Sequence, residues 1–354
     1  MPKKIIRGWK TIALLSALAV SLAGLHIALN TNLLGRDQLC DRRVSAKFVE
    51  AAFAKTGSLS DEEGPTSSDG DPLLFDCTIV SKSVVPGSDD QELFISVTRE
   101  RADFPFTDNG GPDPANIAFF SGNATGAVVD DDRAWVWLPA SCATEQAAVV
   151  RGDVRRGQVT QESRMALVRL LVDTANRLVE RTGCSDTNLK APTKLAPTPR
   201  PRTADPQKLC GITGLSLPTS VAGPNAKVQE TLPEALSRIW SCSVTLEDSE
   251  ASVRESGYLT FSVVQDPVVL ASLKKYPEYS EASPIPGWKV SGVDDTHVVA
   301  DCAGKATYFS MRLGQQYFRS TEQSDSPKSA SLFKAFTSKI GTALGCPAIT
   351  GPSE

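Results

Sequence analysis

Eight cysteines fall into two matched quartets, and this spacing constrains the chain more than anything else in it. Cys40, Cys77, Cys142 and Cys184 stand 37, 65 and 42 residues apart, and Cys210, Cys242, Cys302 and Cys346 stand 32, 60 and 44 apart. Metal sites need close pairs such as C-x-x-C, and none occurs here. Duplication of one domain explains both the wide gaps and the matching flanks. Leu39-Cys40 corresponds to Leu209-Cys210, and Phe75-Asp76-Cys77 to Trp240-Ser241-Cys242. A long amphipathic stretch ends at Gly183-Cys184 and again at Gly345-Cys346. No cysteine is left over in either quartet, so disulfides are expected, and with them an oxidising compartment.

Hydrophobic periodicity fills in the architecture. The first half reads as a helix from Asp41 to about Lys55, an exposed loop over 57–72, and strands near 73–80, 92–98, 134–138 and 146–154. A helix over 161–183 follows, stopped by Gly183. The second half repeats the order with a weaker first helix, interrupted by Gly214, Pro218 and Gly223. Its strands are expected at 236–246, 258–264, 297–301 and 305–312, with a short helix capped by Asp266 and a last helix over 327–344. Four cysteines allow three pairings within each half. The directions of the predicted elements bring Cys40 to Cys77, Cys142 to Cys184, Cys210 to Cys242 and Cys302 to Cys346.

The first 36 residues carry a charge of +5, and an uncharged apolar run over 11–34 follows Lys10. At about 1.5 Å per residue this run is long enough to cross a bilayer. The expected layout is a cytoplasmic basic tail (1–10), a transmembrane signal-anchor (11–34) and the bulk of the chain outside. A cleaved signal peptide, with Ala17-Leu18-Ala19 as the small-residue site, is the competing reading. The expected fold class is therefore α+β: an N-terminal transmembrane helix, then two tandem homologous domains (36–184 and 209–346). Each would be an antiparallel sheet packed by an N-terminal and a C-terminal helix. Residues 185–208 read as a proline-rich linker and 347–354 as a tail. The linker's five cations, Lys190, Lys194, Arg200, Arg202 and Lys208, are available to a neighbouring acidic face or an anionic cell-wall polymer.

The net charge of −4 conceals −9 on residues 37–184, which argues against nucleic acid as a partner. No phosphate loop, HExxH, EF-hand or G-x-S-x-G pattern is present. Of two histidines, His26 lies in the apolar run, and His297 follows Asp294-Asp295 as an exposed or half-buried turn residue. The acidic clusters Asp130-Asp131-Asp132 and Asp294-Asp295 read as solvated turns, since calcium needs six or more oxygens from a shaped loop. No cofactor, metal or catalytic residue is expected. Trp135 and Trp137 share one strand face, either as core beneath a helix or as an aromatic patch for a glycan or protein partner. Asn123-Ala124-Thr125 matches the glycosylation pattern.

The Leu-Cys opening, the aromatic-x-Cys strand, the segment Trp135-Val136-Trp137-Leu138-Pro139-Ala140-Ser141-Cys142 and the helix ending Arg181-Thr182-Gly183-Cys184 resemble actinobacterial single-pass envelope proteins with duplicated four-cysteine domains. In outline they are also similar to Mog1/PsbP-like lipoproteins and to cysteine-paired extracellular sensor domains. The second half departs from the pattern at His297–Cys302, where the tryptophans are missing. The resemblance implies a membrane-anchored, non-catalytic binding or sensor protein of the cell envelope, with an envelope protein, lipid or glycan as partner. A structural subunit or lipid carrier, and more remotely a carboxylate glycan hydrolase, are the alternatives.

Overall fold

The computed structural model describes residues 14–21, 24, 31–32 and 35–349, except 55–56, 65–69, 84–88, 108–110, 158–159, 206, 218–220, 222–226, 248–256, 323–327 and 347–348. The expected transmembrane helix is not found. Among the described residues no helix is long and apolar enough to cross a membrane. Residues 14–21 are helical, but eight residues span only about 12 Å. Residues 1–10 and most of 11–34 lie outside the described residues. The single-pass topology, and the membrane as a partner, are therefore withdrawn. Four disulfides still point to an extracytoplasmic setting.

Domain 1 begins with a two-residue ladder, β1 (Gln38–Leu39) with β2 (Val44–Ser45), and a short helix, α1 (Ala46–Ala52). Seven strands follow: β3 (Ser58–Glu63), β4 (Phe75–Lys82), β5 (Gln91–Glu100), β6 (Ile117–Phe120), β7 (Gly126–Val129), β8 (Arg133–Trp137) and β9 (Ala147–Arg156). Helix α2 (Gln161–Thr182) closes the domain, started by a Thr160–Ser163 capping box and ended by Gly183 at φ 63°. Domain 2 contains β10 (Arg202–Thr203), β11 (Val228–Thr231), β12 (Ile239–Leu246), β13 (Leu259–Val264), α3 (Pro267–Leu273), β14 (Ser291–Asp294), β15 (His297–Cys302), β16 (Lys305–Leu313), α4 (Gln315–Glu322) and α5 (Ser329–Leu344).

The strand orders reveal the duplication. Sheet one runs β3-β4-β5-β9-β8-β7-β6, and sheet two runs β10-β11-β12-β13-β16-β15-β14. Removing β6 from one and β10 from the other leaves the same six-strand antiparallel order. Two expectations fail. Among the described residues, domain 2 has no N-terminal α-helix, only a 3₁₀ turn at Leu209–Gly211. Residues 58–63 of the expected loop are an edge strand, whose Ser, Asp and Glu side chains suit an exposed edge.

One face of each sheet is covered by its C-terminal helix. Leu167, Leu170, Leu171 and Leu178 of α2 pack on Ile79, Ile95 and Val150. In domain 2, Phe336 of α5 stacks on Phe261 with ring centres 4.2 Å apart. The other faces meet each other: Trp135, Trp137 and Val149 join Ile239, Val264, Val299 and Tyr308 in a core shared by both domains. The layer order is helix, sheet, sheet, helix.

The disulfides join Cys40 to Cys77, Cys142 to Cys184, Cys210 to Cys242 and Cys302 to Cys346, each within one domain. A second staple accompanies the first bridge of each. Cys40 sits at φ 53° and Cys210 at φ 58°, a left-handed conformation that non-glycine residues avoid. Each is held there by a carboxylate on the strand beside the bridged one, β3 or β11: Asp61 accepts from Cys40 N at 2.7 Å, and Glu230 from Cys210 N at 2.7 Å. Asp61 lies opposite Ile79 and Glu230 opposite Val244, two residues beyond the bridged Cys77 and Cys242.

The proline-rich segment is not a free spacer. Leu189 and Leu195 are buried in the domain 1 core. Asn176 of α2 pairs with the backbone N–H and C=O of Leu189. At its far end β10 joins the domain 2 sheet.

Candidate functional site

The seam between the sheets takes the residues that sequence reasoning singled out. Trp135 and Trp137 are 4% and 1% exposed, packed edge to face with each other and against Phe104. They lie on the sheet face away from α2 and are covered by domain 2. They are neither core beneath a helix nor a surface for a separate partner. Counting along the registers from Cys77 and Cys242, His297 occupies the place of Trp135.

His297 is buried at 7% exposure, not a turn residue in solvent. Its Nδ1 donates to Asp294 Oδ1 at 2.7 Å. Burial raises the Asp294 carboxyl, but hydrogen bonding and charge from His297, with the N–H and hydroxyl of Thr296, outweigh it and hold the group at about 2. Beside this pair, Asp103 is fully buried, 2.8 Å from Arg101 Nε. It accepts from Tyr308 Oη at 3.2 Å. Burial raises the Asp103 carboxyl despite the Arg101 charge, and burial together with the Asp103 charge lifts the Tyr308 phenol well above its ordinary range. An Asp–His pair is half of a hydrolytic triad. Here the imidazole is buried at the seam, with its Nε2 buried and without a hydrogen-bond partner among the described residues.

Other interdomain contacts lock the sheets. Asp266 is fully buried. One oxygen caps α3 through Val268 N and Val269 N, and the other accepts from Thr125 Oγ1 at 2.9 Å and from Ser121 Oγ. Thr125 is thereby 1% exposed, which ties the hydroxyl of the Asn123 glycosylation pattern into the seam. Lys275 Nζ donates to the carbonyls of Ala140 and Ala143. Arg312 does the same to Pro105 and Pro112.

Among the described residues, two groups bring cysteines and a carboxylate together: Cys40, Asp61 and Cys77, and Cys210, Glu230 and Cys242. Every sulfur in them is in a disulfide, so neither group offers a thiolate to a metal. The acidic turn is spent on arginines: Asp130 and Asp132 face Arg133, and Asp131 faces Arg164.

One accessible feature among the described residues is a groove of about 600 Å³ on domain 2. Its walls are the C-terminal end of α3, the connection over 274–290, β14 and the outer strands β15 and β16. Its lining includes Trp288, 7% exposed and part of the domain 2 core, and Tyr279, half-buried against the shared core; Lys274 and Lys289 bring positive charge, and Glu281 and Asp301 negative charge. The connection is pinned by paired backbone hydrogen bonds between Ser280 and Gly292, and Tyr279 Oη lies 2.6 Å from Ser291 Oγ. Sequence reasoning found the helix before this connection but nothing in 277–290, which carries no periodicity. The one available signal was Trp288 standing between Gly287 and Lys289, an aromatic residue outside any predicted element.

Comparison with family models, with curated proteins and with solved structures finds no match.

Proposed function

We propose that the chain is a non-catalytic binding protein working outside the cytoplasm, with the domain 2 groove as its ligand site. The observation that carries this reading is the groove's lining: exposed charges of both signs around a buried tryptophan and a half-buried tyrosine, on a scaffold stapled by four disulfides. Such a lining suits a polar ligand with some apolar faces, of which a glycan is the simplest class. An acyl chain would call for an enclosed apolar pocket, so the lipid-carrier reading loses ground. A structural subunit would call for a broad apolar patch. Outside the helix at 14–21, the large exposed hydrophobics among the described residues are Leu236 and Phe318.

One observation favours a second reading. Glu281 and Asp301 both line the groove, and paired carboxylates are what a glycan hydrolase uses. Both are exposed, whereas a general acid gains its raised pKa from burial.

The test is a glycan array probed with the full chain, followed by affinity measurement on the retained glycans. Lys274→Ala with Lys289→Ala is expected to weaken binding at least tenfold at an unchanged thermal midpoint. Retention of no glycan, or affinity that survives both substitutions, refutes the reading. Turnover of a retained glycan that stops in Glu281→Gln or Asp301→Asn establishes the hydrolase instead.

A further inference from the structure

The proline-rich segment is a strap laid along domain 1, and its charge is one-sided. Between Thr187 and Ala204 it carries Lys190, Lys194, Arg200 and Arg202 and no acidic residue. Arg202 is paired with Glu230 at 2.8 Å. Lys190, Lys194 and Arg200 are exposed, and among the described residues none of the three takes part in an ion pair.

Each of these cations stands within two residues of an anchor. Lys190 follows Leu189, which is buried and held by Asn176. Lys194 precedes the buried Leu195. Arg200 lies between Thr198, which accepts from Arg164 Nη2 at 3.0 Å, and Arg202, the start of β10. Pro192, Pro197, Pro199 and Pro201 stiffen the backbone between anchors. At about 3.1 Å per residue, the ten steps from 190 to 200 span at most roughly 31 Å, shortened by a bend at Thr193.

We propose that this strap is a docking line for a linear polyanion, a chain polymer with repeating phosphate or carboxylate groups. The cost of ordering a flexible basic segment has already been met in folding, which is the usual advantage of preorganisation. The net charge of the domain beneath selects the shape of the partner. Residues 37–184 carry −9, so a broad anionic surface laid against the domain as a whole meets net repulsion. A single extended chain lies within about 8 Å of the cations and stays largely screened from the rest.

Binding of the full chain to fluorescent inorganic polyphosphate and to poly-glutamate, across a salt series, tests this. Three contacts at the single-strand value of ~0.7 per charge predict that log Kd rises with log salt with a slope of about 2. The triple variant Lys190→Gln/Lys194→Gln/Arg200→Gln is expected to bind at least tenfold more weakly with its thermal midpoint unchanged. Leu195→Ala keeps every charge but frees the middle of the strap, and is expected to lose affinity severalfold. No binding of either polymer at low salt overturns the proposal, as does full affinity in the triple variant. Unchanged affinity in Leu195→Ala overturns the role of fixed spacing. Binding to anionic lipid vesicles as tight as to the polymers overturns the preference for a linear partner. None of these outcomes depends on the groove.

Discussion

Asp266 is where a single substitution separates the docking of the two domains from the folding of each. Its carboxylate holds the first turn of α3 with one oxygen and takes hydroxyls from Thr125 and Ser121 of domain 1 with the other. Removing an N-cap costs about 1 kcal/mol. Each charge-assisted hydrogen bond contributes about 1.5–3 kcal/mol, but deleting the carboxylate also relieves the cost of burying it. Asp266→Ala is therefore expected to destabilise by about 3 kcal/mol. Asp266→Asn keeps a capping oxygen and can still reach the hydroxyls, and should cost only about 1 kcal/mol. The informative measurement is a double-mutant cycle with Thr125→Val, by urea denaturation of the oxidised protein. Because Thr125 and Asp266 lie in different domains, their coupling reads the interdomain contact directly. A coupling of about 1.5 kcal/mol is expected for one charge-assisted bond. A value below about 0.5 kcal/mol, or an Asn variant as unstable as the Ala variant, would refute the reasoning.

Three further outcomes follow from the same contacts. The folded Asp294 carboxyl sits at about 2 against an ordinary 3.8, so its contribution is complete above pH ~4 and fades as pH falls towards 2. Since the side chain is 45% exposed, screening leaves a contribution on the order of 1 kcal/mol; urea midpoints from pH 5 to 2 should fall less steeply in Asp294→Asn. Asp103 acts in the opposite sense: its raised carboxyl makes the folded state bind a proton more readily than the unfolded one, so Asp103→Asn should gain stability relative to wild type as pH rises above the ordinary carboxylate range. Replacing Cys302 and Cys346 by alanine opens a loop of 44 residues and should cost about 3–4 kcal/mol on the chain-entropy model, measurable by denaturation without reductant.

The cysteine spacing carried the duplication, because a covalent bridge fixes the same two strands and helix wherever the domain is copied. Helix and strand directions were enough to bring Cys142 back to Cys184, since a strand and a returning helix of similar length end at the same side. The seam was hidden for a physical reason. Trp135 and Trp137 alternate with Val136 whether the far face meets a helix, a ligand or another sheet, and period-two patterning does not distinguish these covers. His297 was misjudged because a polar residue beside two aspartates looks solvated, and only the register shows that it fills a tryptophan's place. Edge strand β3 was read as a loop because exposed edges select the charged residues that loops also use. The proline-rich segment looked like a spacer, since Leu189 and Leu195 are too isolated to signal burial.

The copies differ in the N-terminal helix, in the extra strands β6 and β10, in α4 and in one connection, and it is the connection that carries the groove. In both domains the bridged cysteines, the carboxylate that holds the left-handed cysteine, and the six-strand order are kept. The link from the third strand of that order to its outer strand is not. In domain 1 it spans 101–125 and becomes a clamp: Asp103 reaches Tyr308, and Asp113 accepts from Thr260 Oγ1 at 3.2 Å. In domain 2 it spans 265–290 and begins in the same way, with Asp266 and Lys275 gripping domain 1. It then turns outward to carry Tyr279, Glu281, Trp288 and Lys289 along the groove. The connection still serves the seam past Lys275, since Arg101 lies 4.8 Å over the Tyr276 ring and Tyr279 packs on the shared core. Beyond Tyr279 the charges of Glu281 and Lys289 stay exposed along the groove, and the ligand proposed above accounts for them.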